Sequence, residues 1–122
     1  MQILQNKAEI RAAIATMNPV ARTAAQNLAA YLLDNPQTIQ DHEALNDAYL
    51  GSCTFAMTQA GWELTADTRI QAFFENHGEA VSNVAISIVA YSVKQAERHR
   101  KWGWVGKAAA FAGGALLASL FG

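Results

Sequence analysis

Cysteine is nearly missing from this 122-residue chain, which carries Cys53 alone. One cysteine excludes an internal disulfide framework and any zinc site built from several thiolates. Proline occurs twice, at Pro19 and Pro36, both where a helix can begin or end, and its scarcity leaves long stretches free to be helical. Charge is sparse as well. Asp, Glu, Lys and Arg make up 16% of the residues, against about 25% in an ordinary soluble domain. That shortfall predicts that part of the surface faces something other than water. The N-terminus reads Met1-Gln2-Ile3-Leu4-Gln5-Asn6-Lys7, with no basic stretch followed by an apolar one, which argues against a secretory signal.

The most informative absence is of acid at the C-terminal end. Residues 1–97 hold five basic residues (Lys7, Arg11, Arg22, Arg69, Lys94) against all ten acidic ones, a net of −5. Residues 98–122 hold Arg98, Arg100, Lys101 and Lys107 and no acid, a net of +4. A basic, acid-free terminus on an acidic body predicts an attachment segment. The length suits one domain with a core of its own, read here as a helical domain over 1–97 followed by a collar and tail over 98–122.

The hydrophobic spacing throughout is that of helices, so the expected fold is all-α: a compact bundle of about five helices with a separate C-terminal apolar helix. Ile3, Ile10, Ile14 and Met17 place one apolar face on a first helix. Asn18-Pro19 reads as the cap and first position of a second, running to about Leu33. Its face is Ala21, Ala24, Ala25, Leu28, Tyr31 and Leu32, small enough for close packing. Asp34-Asn35-Pro36 stops it. Thr38 and Asp41 form a capping arrangement for a third helix through Ala44, Leu45, Ala48 and Tyr49. Gly51 ends or weakens that helix, the stretch from Cys53 to Ala60 stays helix-compatible, and Gly61 is a C-terminal cap. Thr65 and Asp67 open a further helix through Ile70, Phe73 and Phe74, closed by Asn76-His77-Gly78. The longest helix is expected from Glu79 to about His99. It carries no charge from Ala80 to Val93, the pattern of a buried central helix wrapped by the others.

The tail combines three membrane signals. Arg98, Arg100 and Lys101 precede Trp102 and Trp104, the order of a cationic collar and an interfacial aromatic belt. Residues 102–122 have about the length of a spanning helix, near 20 residues. Lys107 lies close enough to the start for its stem to reach back to headgroups. Positive residues on the near side put the N-terminal domain in the cytoplasm. Against a span, the uncharged run from Ala108 to Gly122 is 15 residues, rich in Ala and Gly, so the alternatives are an interfacial segment or a core helix of a soluble cytoplasmic bundle. Within the tail, Gly106, Ala110, Gly114 and Ala118 recur every four residues. On a helix they form a small-residue groove of the kind that lets two helices approach in lipid, and they predict a homo-oligomer.

No constellation for catalysis stands out. His42 lies between Asp41 and Glu43, but adjacent residues diverge around a helix and no second His sits one turn away, so it reads as an ordinary exposed residue. His77, between Glu75 and Glu79 two positions either side, is explained by an inter-helix turn. His99 belongs to the collar, where its titration would modulate attachment to anionic lipid. Cys53 has no base beside it in sequence and reads as a buried structural thiol. No phosphate-binding glycine loop is present. The acidic body opposes nucleic acid, although basic and Trp side chains together can meet phosphate and stack on bases.

The expectation is therefore a non-enzymatic protein without cofactor or metal: a membrane-tethered helical adaptor, bound to anionic lipid, self-associating through its tail and carrying a protein partner on its body. Two alternatives stay open. One is a membrane-permeabilising protein whose body shields the tail. The other is a soluble helical subunit whose tail inserts into a neighbour in a larger assembly. Replacing Gly114 with Leu is expected to abolish tail association in a membrane-helix association assay, and unchanged association removes the small-residue groove.

Overall fold

The structure, a computed structural model, describes residues 3–97 and 115–121, and all the regular structure among them is helical. The order is α1 (Lys7–Ala15), α2 (Pro19–Asp34), a 3-10 turn (Pro36–Gln40), α3 (His42–Gln59) and α4 (Arg69–Glu97), with residues 115–121 again helical. The expected all-α bundle is what the chain forms.

Each helix start has a local cause. Asn6 accepts from the Glu9 N–H at 2.9 Å, so α1 begins at Lys7 rather than at the first residues. Glu9 reaches back to the Gln5 N–H at 2.8 Å, a variant of the reciprocal capping box. Asn18 accepts from the Ala21 N–H at 2.8 Å, with Pro19 at the first position of α2. Asp41 alone caps α3, accepting from the Glu43 and Ala44 N–H groups. Thr38 is not part of that cap. It lies buried in the 3-10 turn, where its carbonyl accepts from the Asp41 N–H. The end of α3 is set by Gly61, whose φ of 81° is open to glycine. The Gly61 N–H bonds to the Thr58 carbonyl and the Trp62 N–H to the Met57 carbonyl, which satisfies the last turn. Between α1 and α2, Arg22 does the same for α1 by donating to the Ile14 and Ala15 carbonyls.

The uncharged stretch of α4 is buried as expected, at every position from 84 to 89, and it shares the centre of the bundle with α2. Ala21, Ala24, Ala25, Leu28, Ala29 and Leu32 are fully buried, and α2 packs extensively against both α3 and α4. Alanine side chains let its backbone approach two neighbours at once. Tyr31, expected on that face, is 46% exposed, and Ala29 is buried instead. α3 runs straight through Gly51, and Cys53, Ala56 and Met57 form its buried face. Ser52 reaches from that face to donate to Asn27 Oδ1 at 2.9 Å.

The predicted break at Asn76-His77-Gly78 does not occur. One helix of 29 residues, about 43 Å long, runs from Arg69 to Glu97. Aromatic packing holds its first half. Phe73 meets Trp62 edge to face at 6.1 Å, Phe74 meets Tyr49 at 6.0 Å, and the His77 ring lies 5.9 Å from Phe73. Gly78 is a close-approach glycine, because a Cβ there would collide with the Tyr49 hydroxyl. Further along α4, Val81, Val84, Ala85, Ile88 and Val89 enter the core as expected.

Alanine normally adds about 1 kcal/mol over glycine inside a helix. Gly78→Ala is nevertheless expected to destabilise the bundle, by about 1–3 kcal/mol, through overpacking against Tyr49. In a Tyr49→Phe background, which removes the colliding oxygen, the same change is expected to stabilise. Urea unfolding of the four proteins checks the reversal of sign.

Candidate functional site

Most of the residues singled out in the tail lie outside the described residues: Arg98, Arg100, Lys101, Trp102, Trp104 and Lys107 of the collar, and Gly106, Ala110 and Gly114 of the small-residue series. Ala118 is described. It is exposed, as are Ala115 and Ser119. The opposite face of helix 115–121 is buried: Leu116, Leu117 and Leu120 are each 8% exposed and belong to the core cluster, with Phe121 packed against it. The leucines thus turn to the protein and the small residues turn outward. The leucine contacts fix this segment on the bundle, each burial contributing about 1.5–3 kcal/mol. Among the described residues no helix is long and apolar enough to cross a membrane.

The N-terminal end is drawn to α4. The Leu4 N–H donates to the buried Ser87 hydroxyl at 2.9 Å, which brings Ile3 and Leu4 against the core. Beside this contact an apolar groove of about 630 Å³ runs between Ile3, the 3-10 turn (Pro36, Ile39) and Ile86, Val89 and Val93 of α4. Lys94 and Glu97 stand at its α4 end. Its walls suit hydrocarbon or an apolar helix face rather than a polar small molecule.

Two smaller clefts carry polar groups. One, of about 410 Å³, opens between α3 and α4 and is lined by His42, Asn46, Tyr49, Glu79 and Ser82. His42 is exposed there, one residue past the Asp41 cap. The other, of about 220 Å³, is lined by Trp62, Arg69, Phe73 and His77. The sequence reading placed His77 in a turn; it lies inside α4, its ring beside Phe73. The arrangement of Arg69 was not read from sequence. Its guanidinium lies 4.3 Å from the Trp62 ring centre, a cation–π contact, and pairs with Asp67 at 2.6 Å. The hydrogen bonds from Arg69 hold the Asp67 carboxyl down at about 2. The acid two residues before the arginine was the available signal; the Trp62 contact depends on the turn after α3. Among the described residues no group of three His, Cys, Asp or Glu side chains is arranged to hold a metal ion.

Cys53 is fully buried. Burial pushes its thiol up to about 11, against a smaller opposite effect from the Tyr49 hydroxyl one turn away. Burial likewise raises Tyr49, to about 12. A thiol so placed is protonated at neutral pH and inert, consistent with a structural role.

Compared with protein families, with curated proteins and with solved structures, the chain has no match.

Because the folded thiol binds its proton more tightly than the unfolded one, its contribution to stability is fully present below about pH 9 and is lost as pH rises through about 11. Cys53→Ala is expected to flatten that alkaline decline in a pH series of urea midpoints. In native wild-type protein at pH 8, a thiol reagent is expected to react only as fast as the chain opens, with the full rate restored in denaturant.

Proposed function

We propose that this protein is a non-enzymatic helical interaction protein that attaches to an anionic membrane surface through its C-terminal 25 residues. The body is displayed in the cytoplasm, and copies associate through the tail. The observation that carries this reading is the charge division: −5 over residues 1–97 against +4 with no acid over 98–122. The acidic body is repelled by an anionic surface while the collar is drawn to it, which orients the molecule. Trp102 and Trp104 beside the collar supply side chains suited to the headgroup level. Burial of Leu116, Leu117 and Leu120 favours attachment that begins at the surface over a tail that simply spans. The apolar groove beside Ile39 and Val89 offers the body a place for a partner's apolar face.

A second reading takes the same buried leucines as part of a soluble bundle, with the chain a subunit of a larger helical assembly. Co-sedimentation separates the two. Wild-type protein is expected to bind phosphatidylserine-containing vesicles and not pure phosphatidylcholine. Near a charged bilayer each basic residue is worth about 1 kcal/mol, so the triple variant Arg98→Ala, Arg100→Ala, Lys101→Ala is expected to lose on the order of 100-fold in affinity. Added salt should weaken wild-type binding in the same direction. No binding to either vesicle, with a defined oligomer in detergent-free solution, supports the assembly subunit. Release of entrapped dye on binding supports the permeabilising alternative, since an adaptor binds without leakage.

A further inference from the structure

We propose that the outer face of α2 and α3 is an interface between two copies of this chain, formed when two α2–α3 hairpins pair face to face about a two-fold axis that crosses the helices. This contact is separate from association through the tail and does not rest on membrane attachment.

The face is uncharged on both helices. α2 has no charge from Thr23 to Leu33, and the chain has none from Ala48 to Trp62, which covers α3 beyond Asp47. Three large hydrophobic side chains stand out on it: Tyr31 is 46% exposed, Leu50 43% and Phe55 44%. Residues 1–97 carry a net charge of −5, so two copies repel each other along most approaches. Meeting through this face leaves the acids at the rim. An uncharged face complements itself and offers a charged partner nothing, which commits the occupant to a second copy.

Gly51 is the second observation. Gly78 is explained by Tyr49, but Gly51 has no such cause inside the chain. It lies in ordinary helix, and a Cβ there would meet nothing within 4 Å among the described residues. Glycine weakens a helix, and what it gives in return is close approach of another backbone. A second copy supplies that backbone.

The register follows from the hairpin itself. α2 and α3 are joined through the short 3-10 turn, pack extensively and run antiparallel. The hydrogen bond from Ser52 to Asn27 at 2.9 Å fixes the level at which they meet. Tyr31 lies one turn beyond Asn27 and Phe55 one turn beyond Ser52, so both rings flank the seam between the helices. At 1.5 Å per residue, Tyr31 stands about 6 Å to one side of that level and Phe55 about 4.5 Å to the other. A two-fold axis at that level, across the helices, therefore sets each Tyr31 beside Phe55 of the partner copy. It also sets Gly51 within about 3 Å, measured along the helix, of Gly51 of the partner copy. Arg22 at one end of α2 then comes level with Asp34 of the partner copy, a complementary pair at the rim. An axis along the helices would instead bring Asp34 within a turn of Asp47 of the partner copy, two acids together. A face two helices wide is about 25 Å by about 20 Å. Two such faces bury on the order of 1,000 Å², the size at which specific pairing begins.

The test uses the full chain in detergent-free buffer, followed by sedimentation equilibrium. Wild-type protein is expected to be a dimer. Phe55→Glu is expected to weaken it by at least about a hundredfold, because the two-fold applies the lost contact twice. Gly51→Leu is expected to dissociate it as well. Its side chain enters open space in the single copy, so its urea midpoint is expected to be no lower than that of Phe55→Glu. Gly114→Leu, in the tail, is expected to leave the dimer intact. A monomeric wild type overturns the proposal. A dimer that survives both Gly51→Leu and Phe55→Glu also overturns it, and its loss in Gly114→Leu would assign the contact to the tail. Cysteine cross-linking under mild oxidation, in buffer and on vesicles alike, reads the register, since native Cys53 is buried. Gly51→Cys is expected to give a disulfide-linked dimer. Thr58→Cys, exposed on the same face, stands about 18 Å along the helix from its counterpart and is expected to give none, because a disulfide needs Cα atoms within about 7 Å. Any other pattern overturns the antiparallel pairing.

Discussion

Everything in this bundle depends on how closely α2 can be approached. Its buried positions are four alanines and two leucines, with Val20 at its start. Four of the buried side chains therefore project only a methyl group, and the backbones of α3 and α4 can both come in close. The larger side chains that fill the remaining space come from outside α2: Met57 and Cys53 from α3, Phe73, Val81 and Ile88 from α4, Ile10 and Ile14 from α1. The bundle is thus built around a thin central rod, and bulk is supplied by the periphery. This is also why α3 and α4 meet mainly through long side chains, Tyr49 against Phe74 and over Gly78.

Electrostatics play a small part in holding the described fold. The Asp67–Arg69 pair stands at the surface, with the arginine 59% exposed, where ion pairs contribute little. The helix ends are settled by neutral or short-range groups instead: Asn6, Asn18 and Asp41 at starts, Gly61 and the Arg22 guanidinium at ends. Such a body tolerates its acidic excess because little of its stability is tied to charge. The excess then remains available to orient the molecule against whatever the basic terminus meets.

The helix ends that could be read in the sequence were those with local causes. Asn18-Pro19, Asp41 and Gly61 act within one turn of themselves, and they stand where they were expected. Asn76-His77-Gly78 has the same local look and means something different. Gly78 is there for the Tyr49 hydroxyl, 29 positions earlier in the chain, and contacts to Trp62 and Tyr49 keep α4 continuous across it. The alanine-rich face of α2 was visible from its spacing. Its place at the centre beside the uncharged stretch of α4 was not, because hydropathy measures what a side chain gains by burial and not how many neighbours can reach it. The tail shows the same gap. Its leucines are plainly apolar in sequence, and only the fold shows that they lie in the core of the protein.

The hydrogen bond from Leu4 to Ser87 joins positions 83 residues apart, whereas α2 and α3 are neighbours along the chain. Closing so long a loop carries an entropic penalty that nearby pairs escape. Assembly of the bundle therefore has a natural order. Contact order favours the α2–α3 pair forming first, α4 docking on its free side and the N-terminal arm closing last. In reverse, that arm is the first part to fray. Since Ile3 is one wall of the groove along α4, the groove widens into a longer apolar trough whenever the arm lifts, well before the hairpin at the centre has begun to loosen.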